Sequence, residues 1–184
     1  MKTEQENGVL TVEPVTRDTW PAFEAFFESV GKLRYCWCMA WRLTDGERRD
    51  DSAAARKARM KALVFAGVPV GLLAYEGGRP VAWCSVAPRE SYHRIGGDET
   101  LENVWSIACF YVVRSHLHKG VTRLLIARAK DYARQNGAAH LEAYPVLPDS
   151  PSYTHMGYVD VFAQAGFHFV KMQGTRRHVM VCPL

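Results

Sequence analysis

Apolar positions change period along this chain, and the changes divide it into elements. Val9 to Val15 carries β-branched residues at strand spacing. From Trp20 the period becomes helical, through Phe23, Phe26, Phe27 and Val30, with Asp18 as the expected N-cap and Gly31 as the stop. An aromatic and sulfur-rich run follows, Leu33 to Leu43, and then a polar link from Thr44 to Ser52. Ala53 to Ala66 predicts a second helix with Met60, Leu63 and Val64 on one side. Two strand-like runs from Pro69 to Pro88 flank Gly77-Gly78, a two-residue hairpin turn. Arg89 to Leu101 is polar and reads as loop, with room for one helical turn.

Val104 to Val113 is apolar without alternation, which predicts a central strand buried on both faces. A basic, glycine-bearing turn leads from it into a helix over Val121 to Gln135, where Val121, Leu124, Leu125, Ala129, Tyr132 and Ala133 form the apolar face and Asn136-Gly137 the stop. His140 to Pro145 reads as strand, Leu147 to Tyr153 as loop, and Tyr158 to Ala165 as a short helix closed by Gly166. His168 to Lys171 and His178 to Cys182 are short strands that can pair across the intervening turn. The sum, β-α-α-β-β-β-α-β-α-β-β, predicts an α+β fold: a mixed sheet with helices over it. It is expected to form one domain over residues 1–184, with residues 1–8 flexible.

Composition alters this picture little. The chain has 184 residues, 48% of them apolar and 23% charged, which is ordinary globular composition. Five scattered cysteines, an odd count, argue against a disulfide framework. The start lacks a basic and apolar leader pattern, and the longest uncharged run, Ala62 to Tyr75, contains Pro69 and is too short to cross a bilayer. A cytoplasmic protein with no membrane partner is expected. The net charge of +4 does not mark a nucleic-acid binder. Its clustering is more informative: Arg114 to Arg134 holds six Lys or Arg against one acid, Asp131. Such a run reads either as a solvated helix face or as an attraction for an anionic ligand.

That run begins at the turn His116 to Arg123. A helix start presents unpaired N–H groups and a positive dipole end, and a glycine lets phosphate approach the backbone. There is neither a GxxxxGK[ST] nor a GxGxxG pattern here, so the turn alone reads equally as a plain helix start. His116 and His118 suit phosphate contact or solvation better than metal binding. The Cys36-x-Cys38 pair offers only two ligands at a poor spacing for zinc, and no metal is expected.

The order of elements, with Leu117-His118-Lys119-Gly120-Val121-Thr122 at the central helix start and Gly166-Phe167 after the last helix, resembles the GCN5-related N-acetyltransferase (GNAT) superfamily over roughly Val9 to Leu184. The Cys36-Trp37-Cys38-Met39-Ala40-Trp41-Arg42 segment is similar to a CWCMxWR signature in an uncharacterised subset of that family. The resemblance implies a mostly antiparallel sheet and acetyl-CoA as co-substrate, with its pyrophosphate at His118, Lys119, Gly120, Val121, Thr122 and Arg123. It also implies a bulged strand whose backbone at Phe110, Tyr111 and Val112 meets the pantetheine, with the Phe110 N–H as oxyanion donor. Leu117 stands where the family has Gln or Arg, and Thr122 where it has a small residue. Ser106 occupies the customary glutamate position, and Phe162 the customary tyrosine position. Tyr158, one turn earlier, is a substitute general acid, as are Tyr111 and His155; for Tyr158 a packing role is the favoured alternative.

The acceptor implied is a small-molecule or peptide amine. Cys36, Trp37, Trp41 and Trp83 are candidates for its pocket, with core packing as the alternative for each. A thiol nucleophile at Cys36, Cys38 or Cys109 is also open. Two rival readings are a catalytically silent acyl-CoA sensor on the same fold and a nucleic-acid-binding module using the basic helix. A homodimer is left open.

Overall fold

The computed structural model describes residues 9–184; the flexible start expected for residues 1–8 lies outside the described residues. Seven strands form one sheet: β1 Leu10–Pro14, β2 Leu72–Glu76, β3 Arg79–Pro88, β4 Val104–Val112, β5 His140–Ala143, β6 His168–Gln173 and β7 Arg177–Pro183. Their order is β1-β2-β3-β4-β5-β7-β6, and every neighbouring pair is antiparallel except β4 with β5. The helices are α1 Trp20–Ser29, α2 Leu33–Cys36, α3 Ala53–Phe65, α4 Val121–Gln135 and α5 Val159–Gln164. This is the expected α+β, mostly antiparallel arrangement. Among the described residues no helix is long and apolar enough to cross a membrane.

Local chemistry explains the elements. Gly77 and Gly78 both have positive φ (55° and 78°), which a two-residue primed turn requires. Ser52 caps α3 by accepting from the Ala55 N–H at 3.2 Å. The expected cap at Asp18 is corrected to Thr19, whose hydroxyl donates to the Pro14 carbonyl and accepts from the Thr16 N–H, tying β1 to α1. β5 is shorter than expected because Pro145 has no N–H with which to extend a ladder.

Two apolar layers enclose the sheet. On one face α4 buries Val121, Leu125, Ile126, Ala129 and Ala133 against Trp105, Ile107 and Phe110, and α5 adds Phe162. On the other face α1 and α3 close over Trp83, Leu73 and Tyr75 with Phe23, Phe27, Met60 and Val64. β4 lies at the centre, and its first five residues are all buried.

Two irregularities in β4 open a gap in the sheet. Ser85 pairs with Cys109 but Val86 with Ile107, so Ala108 is an extra residue, a β-bulge. Pairing with β5 covers only Val104–Ile107 against His140–Ala143. Past Ile107 the parallel strands separate, leaving the C-terminal half of β4 without a partner on that side.

Candidate active site

The unpartnered edge of β4 has a definite hydrogen-bonding polarity. Val113 N–H donates to the Val81 carbonyl at 2.9 Å. Antiparallel pairs alternate between bonded and non-bonded. With Trp83 opposite Tyr111 and Cys84 opposite Phe110, Tyr111 directs its N–H to β3. Phe110 and Val112 direct theirs into the gap left by β5.

Two cavities border this stretch. One, of about 360 Å³, is lined by Val112, His116, Leu117, His118, Gly120, Val121, Thr122, Arg123, Tyr158 and Val161. Here α4 begins. Gly120 has φ 78° and open space where a Cβ would stand. No side chain caps the helix, its first turn holds no acid, and the first intrahelical bond is Leu124 N–H to the Gly120 carbonyl at 3.1 Å. The N–H groups of Val121, Thr122 and Arg123 are therefore free at a positive dipole end. Arg123 is steadied by Gln164 at 2.8 Å. An anion fits this cradle. Lys119 is exposed and borders neither cavity.

The second cavity, about 290 Å³, is lined by Lys32, Leu33, Cys36, Cys38, Ala40, Trp41, Ser85, Ala108, Cys109, Phe110, Tyr111 and His155. Trp37 and Cys38 both adopt left-handed backbone (φ 45° and 48°), which turns the chain back after α2 and brings Cys36 and Cys38 to one wall. The Cys38 and Cys109 sulfurs lie 3.7 Å apart. The neighbouring Cys38 thiol, then burial, push the Cys36 pKa far above its usual range; Cys109, with burial, does the same to Cys38. Both stay protonated at neutral pH and are poor nucleophiles. Partial desolvation lowers the pKa of His155 from 6.5 although the residue keeps an exposed surface, so its imidazole is mostly neutral near pH 7.

Several expected site residues lie elsewhere. Trp37 is 2% exposed and stacks between Trp20 and Phe27, so it belongs to the core and not to a pocket wall. Trp83 is fully buried, its ring against Phe23 and Phe27 and its Nε1–H on the Cys38 sulfur at 3.0 Å, and it too is core. Ser106 is fully buried, bonded to the Tyr144 hydroxyl at 3.1 Å, and borders neither cavity. The Tyr144 hydroxyl donates to buried Glu142 at 2.6 Å, and Glu142 also accepts from the Asp98 N–H at 2.7 Å. Its lone pairs are committed to structure. Phe162 packs on Phe167 and Phe110 in the core. Tyr158 is exposed, stands at the N-cap position of α5 without a side-chain capping bond, and borders the Gly120 cavity rather than the Cys-Trp one. Sequence reasoning missed Leu33, Ala40 and Ala108 as lining residues; none has a distinctive side chain, and the bulge at Ala108 leaves no mark in the composition.

A family model described as Acetyltransferase (GNAT) family matches residues 19–158. The chain belongs to this family. Three solved structures show how widely the GNAT fold is shared. The first is the PaiA N-acetyltransferase from Thermoplasma acidophilum in complex with coenzyme A, at 11% identity and TM-score 0.58 over 96% of this chain and 99% of that one. The second is YncA from Salmonella typhimurium with its cofactor acetyl-CoA, at 19% and 0.56 over 95% and 94%. The third is a GCN5-related N-acetyltransferase from Kribbella flavida, at 20% and 0.58 over 95% and 98%. No curated protein matches this chain. In this GNAT acetyltransferase the two cavities border neighbouring residues of β4, Phe110 and Tyr111 on one side and Val112 on the other.

Proposed function

We propose that this protein transfers an acetyl group from acetyl-CoA to a primary amine, with the cofactor on the Gly120 side of β4 and the acceptor on the Cys-Trp side. The observation that carries the reading is the pair of unpartnered N–H groups at Phe110 and Val112, set between an anion cradle and a mostly apolar cavity. Bound acetyl-CoA supplies the acetyl group as an activated thioester. The N–H groups of Val121, Thr122 and Arg123, with His118 nearby, hold its pyrophosphate. The Val112 N–H holds the pantetheine, and Tyr111 contributes only its side chain, since its N–H is taken by β3. The Phe110 N–H meets the carbonyl oxygen as negative charge develops, a contribution of roughly 3 kcal/mol for one such donor.

Ser106 takes no part, being buried and already bonded. His155, neutral near pH 7 and on the acceptor side, takes the proton of the attacking nitrogen. Tyr158, on the cofactor side, gives a proton to the departing sulfur.

Calorimetry with acetyl-CoA, followed by thiol release in the presence of amines, tests this reading. Saturable binding and amine-dependent release are expected. Gly120→Glu sets a carboxylate against the pyrophosphate; at φ 78° it costs about 1–2 kcal/mol of backbone strain, but the space for a side chain is open, so the variant should fold less stably and bind acetyl-CoA roughly 100-fold more weakly, about 2.8 kcal/mol. Undiminished affinity would show that the turn is only a helix start.

A further inference from the structure

The second cavity restricts the acceptor more narrowly than the word amine does. Its walls are mostly carbon and sulfur: Leu33, Ala40 and Ala108, the thiols of Cys36, Cys38 and Cys109, and the rings of Trp41 and Tyr111. Polarizable sulfur and aromatic faces favour a flat ring. At about 290 Å³ the space lies at the small end of ligand pockets, enough for a one- or two-ring molecule.

Charge narrows the choice again. Among the described residues bordering this cavity none is Asp or Glu, and the charged or titratable side chains other than thiols and Tyr111 are Lys32 and His155. An ammonium entering here would lose hydration with no counterion. Trp41 gives it no cation–π site, because the Arg177 guanidinium already lies 4.6 Å from that ring's centroid and would repel a second cation. Arg177 is itself anchored on the Ile95 carbonyl at 2.7 Å, so Trp41 is a fixed wall. With Ser106 in place of a carboxylate base on β4, an alkylamine also faces a protonation problem. An amine of lysine-like basicity is neutral in only about 1 molecule in 2,500 at pH 7.

Resting on the acetyl-transfer reading, we propose that the acceptor is a small aromatic amine whose nitrogen is bonded directly to the ring. Delocalisation of the lone pair keeps such a nitrogen neutral at pH 7, so it enters without a counterion and attacks without prior deprotonation. Its lone pair forms the C–N bond to the thioester carbonyl carbon, and the C–S bond breaks. The proton lost from nitrogen goes to His155, the sulfur takes one from Tyr158 or water, and the products are the N-acetyl arylamine and CoA thiol.

Two isomers of the same formula test this: 4-methylaniline, neutral at pH 7, and benzylamine, an ammonium. At pH 7, kcat/KM for 4-methylaniline should exceed that for benzylamine at least tenfold. Calorimetric binding to the free protein should favour 4-methylaniline by a similar factor. Trp41→Ala should raise KM for 4-methylaniline at least fivefold with acetyl-CoA affinity held within twofold, and Trp41→Phe should restore most of the loss. Preference for benzylamine, lysine or spermidine while acetyl-CoA binds would overturn the aromatic class and leave acetyl transfer standing. Acetyl-CoA binding with neither isomer acetylated would also overturn it. Failure of acetyl-CoA to bind would sink the proposed function, and equal binding of the two isomers would then sink this inference separately.

Discussion

Trp41 belongs to the Cys-Trp segment and Trp83 of β3 packs against it, but they differ in what surrounds them. Trp83 is fully buried among Phe23, Phe27 and the Cys38 sulfur; Trp41 is half-buried and open to the cavity. Trp83→Ala should therefore cost about 3–5 kcal/mol in a denaturant titration, whereas Trp41→Ala, which loses only its partly buried contacts with Arg177 and Tyr153, should cost less, about 1–2 kcal/mol, and act on acceptor KM. His155 gives a pH signature. In the unfolded chain it gains a proton near pH 6.5; in the fold, partial desolvation of this still-exposed residue shifts that to somewhat lower pH. The unfolded state binds more protons in that interval, so this contribution is complete above about pH 6.5 and is lost as pH falls toward the folded value. Denaturation followed from about pH 7 to 5 should show a shallower decline for His155→Gln than for wild type. Acetyl transfer should fall over the same interval. None of this was legible residue by residue, because CWCMAW has one composition whether it faces a core or a cleft. The left-handed turn at Trp37 and Cys38 decides which side chains go where.

At the scale of elements, β4 and its neighbours determine the site. The uniform apolarity of Val104 to Val113 was enough to predict a central strand, and the helical period from Val121 was enough to predict α4. The bulge and the early end of β5 were not visible, because they depend on register and on a missing N–H at Pro145. Ser106 illustrates the consequence. Counting along one strand finds a serine where a carboxylate belongs, but the register places Glu142 of β5 directly beside it. That carboxylate is held by the Tyr144 hydroxyl and the Asp98 N–H, with Arg89 3.6 Å away. Glu142→Ala should destabilise the fold by about 3 kcal/mol or more, since it strands these partners in the interior. Thermal or denaturant unfolding would check this. Acetyl-CoA affinity in the folded fraction should be unchanged.

Across the whole molecule, the sheet separates two tasks. α4 and α5 close one face and set an anion cradle at one side of β4; α1, α2 and the Cys-Trp segment close the other and leave a small, mostly apolar cavity. The order of elements was legible in the sequence because hydrophobic period and glycine positions are local properties. The placing of the two cavities beside residues 110–112 was not, since it depends on β4 and β5 separating. The most direct test of that arrangement is an amide chemical-shift titration of the protein with acetyl-CoA. Large shifts are expected at Phe110 and Val112 and at Val121, Thr122 and Arg123, with a much smaller one at Tyr111, whose N–H is already taken by β3. No shifts at millimolar acetyl-CoA, or shifts that leave Phe110 and Val112 untouched, would contradict that arrangement.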